Sequence, residues 1–371
     1  MNSSQNWWEA LFGGRKDSGP AIQIGMRLLK KRGHVLLLLP AQPRLAALCL
    51  DLYPAQTARA RLFKKLLQSF PRIFLPLTTT RIGLRVSGSD AFVKFLASRA
   101  GWPAGLVPPF GVLAGNPAHD SQRFIILTFD PGQRPISVVK AGLSAPAKAL
   151  IEKEKAFLAS VPEVIPGVPK LGGSFSDNRL SAFSLNFFGG NSPGRPDEHA
   201  LPGLLGAWLD SKRPISLAVS PNWQRLEQKC GKNEILRALT NRIRGKVAAA
   251  TLQHGDFAPW NIKVSKQGVW TALDWERGER DGIAGWDWFH YVLQTGILVG
   301  KLPVAALIGR VEELLDSAAF KQYAEKAGIA GIARELALAY LMHIVEVIQP
   351  AEGGQASREL FGALSRRWKL A

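Results

Sequence analysis

The stretch QHGDFAPWNIKVSKQGVWTALDWE, residues 253–276, constrains the fold of this chain more than any other stretch. Two short apolar runs flank the dipeptide Gln267-Gly268, which is typical of a two-residue β-hairpin turn. A two-residue turn at this position pairs Asn261 with Asp274 across the hairpin. Directly opposed residues share one face of the ladder, with Cβ atoms roughly 5 Å apart. The register therefore predicts that these two side chains bind one metal ion. Both offer oxygen atoms, which suits Mg²⁺ held by few protein groups together with phosphates.

The same stretch contains H-G-D, an Asn five residues after the Asp, and D-W-E after the hairpin. HGDFAPWN followed by LDWE resembles the aminoglycoside phosphotransferase and choline kinase-like family, small-molecule kinases with a protein-kinase-like fold. The resemblance implies that Asp256 is the catalytic base, that Asn261 and Asp274 are metal ligands, and that the protein uses ATP and Mg²⁺. A chance H-G-D tripeptide is the alternative, which the Asn and the later D-W-E argue against.

Three residues near this motif are predicted to support it. The segment GIAGWDW resembles the second acidic site of the family, so Asp287 is expected to accept hydrogen bonds from the loop backbone or from His254. His254 is expected to fix the loop rather than to act as the base. Trp260 stands where many family members have a small residue, and it is a candidate wall of the acceptor pocket. Packing in the core is the alternative for Trp260, and it is the preferred interpretation for Trp270 and Trp275.

A buried ion pair is predicted in the strand-rich part of the chain. Lys140 ends the apolar run ISVVK, where a buried cation needs a partner or an anion. In the helix that follows, Glu154 falls within the apolar stripe, whereas Glu152 points away. Lys140 is therefore expected to pair with Glu154, as in the lysine–glutamate pair with which kinases hold nucleotide phosphates. A surface lysine and a solubilising glutamate are the alternative.

The predicted elements divide the chain into three parts. Residues 105–190 are rich in strand patterns and are expected to form a nucleotide-binding N-lobe, and residues 191–371 are expected to form a helical catalytic C-lobe. Residues 1–104 are interpreted as a basic N-terminal extension or subdomain, which the resemblance does not reach; within it, 72–86 are predicted as strands. The predicted fold is α+β, two-lobed and protein-kinase-like, with a small β-rich N-lobe and a larger, mainly helical C-lobe.

Positive charge is concentrated at the N-terminal end. The net charge is +18, and residues 1–100 contain 16 Lys and Arg against 4 Asp and Glu. The run 57–70, TARARLFKKLLQSF, predicts a basic amphipathic helix that either docks on its own domain or lies on a membrane surface. An anionic membrane or anionic polymer is therefore a candidate partner, with simple solubility as the alternative. No recognised nucleic-acid-binding motif occurs, which argues against nucleic acid.

Cysteine usage and the N-terminal sequence bear on the compartment. Cys49 and Cys230 form no disulfide framework and have no metal-ligand spacing, and the N-terminus lacks the apolar core of a signal peptide. A cytoplasmic location, peripheral to the membrane if the basic segment binds lipid, is therefore expected.

The most consistent prediction is an ATP-dependent phosphotransferase that acts on a small-molecule alcohol. The positive net charge argues mildly against a polycationic aminoglycoside as acceptor and favours a sugar, a lipid-linked saccharide or another neutral or anionic alcohol. Two alternatives are a pseudokinase that binds nucleotide as a regulatory scaffold and a nucleic-acid-binding protein built on the basic segment.

Overall fold

The computed structural model of the chain describes residues 7–12, 21–53, 58–116, 120–162, 164–350 and 353–369. The chain forms two compact units. The first consists of Met1–Ser160 with Pro169–Gly189, and the second of Val161–Val168 with Gly190–Ala371.

The first unit is rich in β-structure. Its described elements are α1 (Trp7–Phe12), β1 (Ala21–Lys31), β2 (His34–Pro40), α2 (Pro43–Cys49), a 3₁₀ turn (Leu50–Leu52), α3 (Ala58–Ser69), α4 (Pro71–Thr78), β3 (Thr79–Ser87), α5 (Ala91–Arg99), β4 (Phe110–Ala114), β5 (Arg123–Phe129), β6 (Pro135–Gly142), α6 (Ala145–Ser160), β7 (Leu171–Ser176) and β8 (Ser181–Asn186). The eight strands form one antiparallel sheet in the order β3-β1-β2-β4-β5-β6-β8-β7. Strands from residues 1–104 and from the predicted N-lobe therefore belong to the same sheet, and the boundary predicted after residue 104 stays a prediction.

Both faces of this sheet are covered, because alternate strand residues point in opposite directions. On β2, Leu38 joins a core cluster to which α1 and α5 contribute, while Leu37 and Leu39 join a second cluster. Helices α2, α3 and α4 contribute to that second cluster, with Leu67 from α3 and Leu75 from α4.

The strand prediction for 72–86 is wrong in its first half. Residues up to Thr78 form α4, which has Pro71 in its first turn, a position where the missing proline N–H costs nothing. The helix is favoured because it buries Leu75 in the second core cluster, and this tertiary contact outweighs the strand propensity of an isolated Ile-Phe-Leu run. The second half, from Thr79, forms β3 as predicted.

The second unit is mainly helical. Its described elements are a 3₁₀ turn (Arg195–Ala200), α7 (Leu201–Ala207), β9 (Leu209–Ser216), a 3₁₀ turn (Leu217–Val219), α8 (Pro221–Cys230), α9 (Glu234–Ile243), β10 (Val247–Gln253), a 3₁₀ turn (Pro259–Asn261), β11 (Ile262–Val264), β12 (Trp270–Ala272), a 3₁₀ turn (Trp275–Arg277), β13 (Glu279–Gly282), α10 (Trp286–Gln294), a π-helical turn (Thr295–Val299), α11 (Val304–Asp316), α12 (Ala318–Ala327), a 3₁₀ turn (Ala330–Ile332), α13 (Ala333–Met342), a π-helical turn (His343–Ile348) and α14 (Gly354–Arg367). β13, β10 and β9 form one small sheet, and β11 and β12 form a hairpin. A β-rich first unit and a helical second unit confirm the α+β class.

No single helix within the described ranges is long and apolar enough to span a bilayer. One pair, Ala318–Ala327 with Ala330–Ile348, passes a test of length and composition only when it is joined across a bend of 105°.

Candidate active site

The loop at residues 254–261 connects β10 to β11 within the second unit. It is held beside β13, which pairs back onto β10 through Gly282 and Thr251. Gly255 has a φ of +77°, and a Cβ atom at this position would lie 2.8 Å from the Cβ of Arg277 and 2.9 Å from its carbonyl oxygen. The left-handed conformation favours glycine, and the close approach to Arg277 requires it. The Gly of H-G-D is therefore fixed by the geometry of the loop.

Asp287 holds the start of this loop from the first turn of α10. Its two carboxylate oxygens accept hydrogen bonds from the backbone N–H groups of His254, at 2.6 Å, and Gly255, at 2.9 Å. These are hydrogen bonds of the kind expected for Asp287 from the sequence. Burial raises the pKa of Asp287 to about 6, against the lowering effect of the two hydrogen bonds. The side chain thus satisfies two backbone donors that would otherwise be buried without partners.

The His254 ring links the loop at Asp256 to Leu273, the residue that follows β12. Its Nδ1 accepts a hydrogen bond from the backbone N–H of Asp256 at 3.2 Å, so Nε2 carries the proton and donates to the carbonyl oxygen of Leu273 at 2.7 Å. Burial lowers the pKa of His254 to about 4, which keeps the ring neutral at pH 7. Trp275 packs against it with ring centroids 4.6 Å apart. A neutral ring with hydrogen bonds at both nitrogens is suited to positioning Asp256 rather than to transferring protons.

The carboxylate of Asp256 is oriented from two sides. Asn261 Nδ2 donates to Asp256 Oδ2 at 2.9 Å and to its carbonyl oxygen at 2.8 Å, while His290 Nε2 donates to Oδ1 at 3.1 Å. Arg277 Nη1 lies 4.0 Å from Oδ1, and the Asp256 side chain remains 33% exposed. Burial alone would raise the pKa of Asp256, but the hydrogen bond from His290 and the positive charge of Arg277 hold this pKa below its ordinary value. Asp256 is therefore ionised, oriented and accessible.

His290 is a site residue that the sequence analysis missed. It lies three residues after Asp287 on α10, so both side chains project from the same face of the helix. Because carboxylate oxygens only accept, His290 Nε2 carries the proton, and Nδ1 accepts from the hydroxyl of Tyr340 at 3.2 Å. The spacing from Asp287 is the signal that could have identified it.

The predicted hairpin register is wrong by one residue. β11 pairs with β12 with Val264 opposite Trp270, so Asn261 lies opposite Leu273 rather than opposite Asp274. The backbone agrees, because the N–H of Leu273 donates to the carbonyl oxygen of Asn261 at 2.7 Å.

The physical reason lies in the loop, which has three residues instead of two. The N–H of Gly268 donates to Ser265 O at 3.0 Å, that of Ser265 donates to Val269 O at 2.9 Å, and Gly268 has a φ of +77°. A turn followed by a left-handed glycine is the common three-residue hairpin loop. The Ser265 hydroxyl stabilises it by accepting from the N–H groups of Gln267 and Val269, each at 3.2 Å.

Asp274 lies just beyond the ladder and not within it. It has left-handed backbone angles, φ 73° and ψ 56°, and it begins the 3₁₀ turn at Trp275–Arg277. The extended backbone of the hairpin has ended before this residue, so the turn sets the position of the Asp274 carboxylate, and cross-strand pairing does not. The sharing of a metal ion by Asp274 and Asn261 stays a prediction.

The donor atoms present are compatible with Mg²⁺. Since Asn261 uses its Nδ2 atom in both bonds to Asp256, its Oδ1 atom is the one suited to bind a cation. Within the described part of the chain, no group of three or more His, Cys, Asp or Glu side chains is arranged to hold a metal ion. A site with one or two protein oxygens, completed by phosphate oxygens and water, is the kind that Mg²⁺ occupies in kinases.

Lys140 and Glu154 form a buried ion pair in the first unit. Lys140 Nζ lies 2.6 Å from Glu154 Oε1, and the two side chains are 7% and 1% exposed. Lys140 is in β6, in register with Ile125 of β5 and Phe183 of β8, so it lies inside the sheet. The alternative of a surface lysine and a solubilising glutamate therefore does not hold, whereas contact with nucleotide stays a prediction.

The tryptophans near the loop differ in exposure. Trp260, in the turn before β11, is half-buried, and its place in an acceptor pocket stays a prediction. Trp270 and Trp275 are 5% and 0% exposed. Trp275 also packs on Trp208, with centroids 5.1 Å apart, and donates through Nε1 to Ala272 O at 2.9 Å. These two are core residues, in agreement with the interpretation preferred from the sequence.

A scan against protein-family models and a search of curated proteins give no match. Similar solved structures include a thermostable mutant of the aminoglycoside phosphotransferase APH(4)-Ia with ADP and hygromycin B, at 13% identity and a TM-score of 0.46, covering 75% of this chain and 98% of that chain. Another is the aminoglycoside phosphotransferase APH(3'')-Id from Streptomyces rimosus, at 13% identity and a TM-score of 0.41, covering 68% of this chain and 96% of that chain. A third is a candidate fructosamine-3-kinase from Haemophilus somnus, at 11% identity and a TM-score of 0.45, covering 74% of this chain and 96% of that chain. The first two carry the name of the family that the loop motif resembles, but at these TM-scores the likeness assigns no activity to this chain.

Proposed function

We propose that this protein is an ATP-dependent small-molecule kinase that transfers the γ-phosphoryl group to the hydroxyl group of an alcohol. The observation that carries the proposal is the state of Asp256. Its carboxylate is ionised, accessible to solvent, and oriented by Asn261 and His290. The loop that bears it is fixed in turn by His254 and Asp287. A carboxylate held in this way, with an Asn five residues later, is the arrangement with which protein kinases transfer a phosphoryl group to a hydroxyl.

In the proposed reaction, the acceptor oxygen attacks the γ-phosphorus and forms the new O–P bond. The bond from this phosphorus to the β,γ-bridging oxygen breaks, ADP leaves, and the acceptor proton passes to Asp256. Because the pKa of Asp256 is held below its ordinary value, its carboxylate is a weak base. It acts chiefly by orienting the hydroxyl, and it takes the proton late, when cleavage of the bridging bond is well advanced.

Two further pairs of residues have roles in the proposal. In the first unit, Lys140 contacts the nucleotide phosphates, and Glu154 holds its ammonium group in place. In the second unit, Asn261 and Asp274 would hold Mg²⁺, which neutralises phosphate charge when it is bound.

The acceptor is proposed to be a sugar, a lipid-linked saccharide or another neutral or anionic alcohol. The net charge of +18 opposes the approach of a polycation, and the guanidinium of Arg277, 4.0 Å from Asp256, adds positive charge where the acceptor would bind. The half-buried ring of Trp260 is suited to stack on a sugar ring. A cytoplasmic location stays a prediction of the sequence.

The direct test is an acceptor screen with the purified full-length protein. Radiolabelled ATP with Mg²⁺ is incubated with a panel of sugars, sugar alcohols, aminoglycosides and lipid-linked saccharides, and phosphorylated products are identified by mass spectrometry. We expect acceptor-dependent transfer that is lost in Asp256→Asn. Nucleotide binding without transfer to any member of the panel would instead support the regulatory scaffold.

A further inference from the structure

Helices α3 and α4 expose a concentrated set of apolar side chains. Of the fourteen large hydrophobic residues that are exposed in the described part of the chain, six lie between positions 62 and 77: Leu62, Phe63, Leu66, Phe70, Ile73 and Leu77. Their exposed fractions run from 38% for Leu66 to 77% for Leu77. These six residues are called the apolar patch below. Apolar side chains exposed singly are ordinary, but a cluster marks a surface that another molecule covers.

The patch spans two consecutive helices that contact each other. Leu62, Leu66 and Phe70 are spaced four residues apart and share one helix face. Phe70 joins the two helices with a non-helical backbone, φ −128° and ψ 58°; its N–H donates to Leu66 O at 3.0 Å, and the N–H of Phe74 donates to its carbonyl oxygen at 3.1 Å. Ile73 and Leu77 extend the patch along α4 with the same spacing.

The opposite side of the two helices packs on the core of the first unit, so the apolar patch faces solvent. Leu67 and Leu75 are 1% and 0% exposed in the second core cluster. Asp51 also binds α3: its Oδ1 atom lies 3.2 Å from Lys64 Nζ and accepts a hydrogen bond from Gln68 Nε2 at 2.9 Å. Of the large apolar residues of α3, only Leu67 is fully buried, while Leu62, Phe63 and Leu66 keep 38–62% of their surface exposed. The helix thus docks on its own unit, as one of the two alternatives predicted, and still leaves part of the stripe exposed.

Positive charge surrounds the patch. Between Asp51 and Asp90 the sequence has no acidic residue and seven basic ones, Arg59, Arg61, Lys64, Lys65, Arg72, Arg81 and Arg85. Four of these are exposed on the two helices, namely Arg59, Arg61, Lys65 and Arg72. Beside them is a cleft of about 530 Å³ whose lining includes Gln42, Arg44, Gln68 and Arg72. The guanidinium groups of Arg44 and Arg72 and the amide of Gln42 supply N–H donors for phosphate oxygens, whereas the Gln68 amide is already bonded to Asp51.

We propose that the apolar patch and the adjoining cleft form a docking surface for a bilayer of anionic phospholipids. The six apolar side chains enter the boundary between headgroups and acyl chains, the exposed basic residues contact lipid phosphates, and the cleft receives one headgroup phosphate. A second copy of the same surface is a poor partner, because symmetric pairing would bring the arginines of both copies together. Nucleic acid would leave the aliphatic side chains uncovered. The proposal is independent of the kinase function.

Flotation of the full-length protein with lipid vesicles tests this surface. We compare phosphatidylcholine vesicles with vesicles that also contain about 30% phosphatidylglycerol, at about 0.1 M and 0.5 M NaCl. The expected result is binding to the anionic vesicles that weakens several-fold at the higher salt, with much weaker binding to the neutral ones.

Two double variants separate the apolar and the charged parts. Phe63→Ser with Ile73→Ser is expected to lower the partition coefficient at least about tenfold, because two exposed apolar groups no longer enter the bilayer. Arg44→Gln with Arg72→Gln is expected to lower binding to anionic vesicles by roughly tenfold or more while leaving the weak neutral binding unchanged. Matched controls are Leu106→Ser, at an exposed apolar residue of the same unit, and Arg310→Gln, at an exposed arginine of α11.

The outcomes distinguish the possible occupants. Equal binding to neutral and anionic vesicles, no binding to either, or an equal loss of binding in the control variants would overturn the proposal. A shift from dimer to monomer in Phe63→Ser with Ile73→Ser, measured by light scattering with vesicle binding unchanged, would assign the patch to a second copy instead. All substituted side chains are exposed, so melting temperatures within a few degrees of the parent are expected, and they check that each variant is folded.

Discussion

At the scale of single residues, the geometry of Asp256 depends on groups from separate parts of the second unit. Asn261 comes from the same loop, whereas His290 comes from α10, and Tyr340 of α13 orients His290. His290 does not touch the reacting atoms in this proposal. It is a positioning residue that sets where the carboxylate points and keeps it ionised.

Replacing His290 tests this role. His290→Phe is expected to lower kcat by roughly 10- to 100-fold with little change in the KM for ATP, because the carboxylate loses a donor that orients it. His290→Gln retains an N–H donor and should recover part of the rate. Tyr340→Phe removes only the more distant hydrogen bond and should have a smaller effect. Equal losses in the Phe and Gln variants, in parallel with equal drops in melting temperature, would indicate a purely structural residue.

The Lys140–Glu154 pair and the His290–Asp256 contact differ in how far the sequence predicts them. The pairing of Lys140 with Glu154 followed from two local patterns, an apolar strand ending in lysine and an acidic residue inside an apolar helix stripe. The contact of His290 with Asp256 depends instead on how α10 packs against the loop, which no local pattern contains. Its three-residue spacing from Asp287 becomes informative only once Asp287 is known to bind the loop.

At the scale of elements, the hairpin shows why register is hard to predict. A Gln-Gly pair suits both a two-residue turn and the last two positions of a three-residue loop. In the longer loop the hydroxyl of Ser265 accepts two backbone hydrogen bonds, which stabilise that loop. The one-residue difference moves Asp274 out of the ladder and into the turn that follows.

Two glycines of equal φ allow a controlled test of the loop. Gly255 and Gly268 both have a φ of +77°, but a Cβ would contact Arg277 at Gly255 and would meet no atom within 4 Å at Gly268. Gly268→Ala should cost only the left-handed strain, about 1–2 kcal/mol of the free energy of unfolding. Gly255→Ala should cost more, roughly 2–4 kcal/mol, and should also lower kcat, because the clash shifts Asp256. Denaturant unfolding and steady-state rates measure both, and equal effects at the two positions would contradict the fixed loop geometry.

At the scale of the whole molecule, the N-terminal residues are part of the first unit's core. The β2–β4 pairing joins positions about 75 apart in sequence, a contact that composition and periodicity do not reveal. Phe12 packs on Phe110 with centroids 4.4 Å apart, and Trp7 packs on Phe124 at 4.9 Å. The sequence analysis interpreted residues 1–104 as a basic extension or subdomain because they are basic and the resemblance does not reach them. Neither property contains information on the packing of Phe12 and Trp7, and the predicted boundary stays a prediction.

Truncation tests this organisation. Removing residues 1–104 exposes the edge of β4 and uncovers Phe110 and Phe124, so the fragment is expected to aggregate or to lose cooperative unfolding. A shorter truncation that removes only residues 1–6 leaves all described elements in place and should melt close to the parent temperature. A monomeric fragment of residues 105–371 with the melting temperature of the full chain would show that the first part is an independent extension.

In the proposed mechanism Asp256 acts on the acceptor, whereas Asp274 binds the metal. Calorimetric titration of ATP with and without Mg²⁺, together with the steady-state turnover of each variant, separates these two roles. Asp256→Asn should bind magnesium-ATP nearly as the parent does, while turnover falls by roughly 10²- to 10⁴-fold. Asp274→Asn removes a negative charge from the proposed metal site and should lose the magnesium-dependent part of ATP binding together with turnover. Magnesium-dependent binding that is unchanged in Asp274→Asn, or turnover that is undiminished in Asp256→Asn, would contradict the assignment.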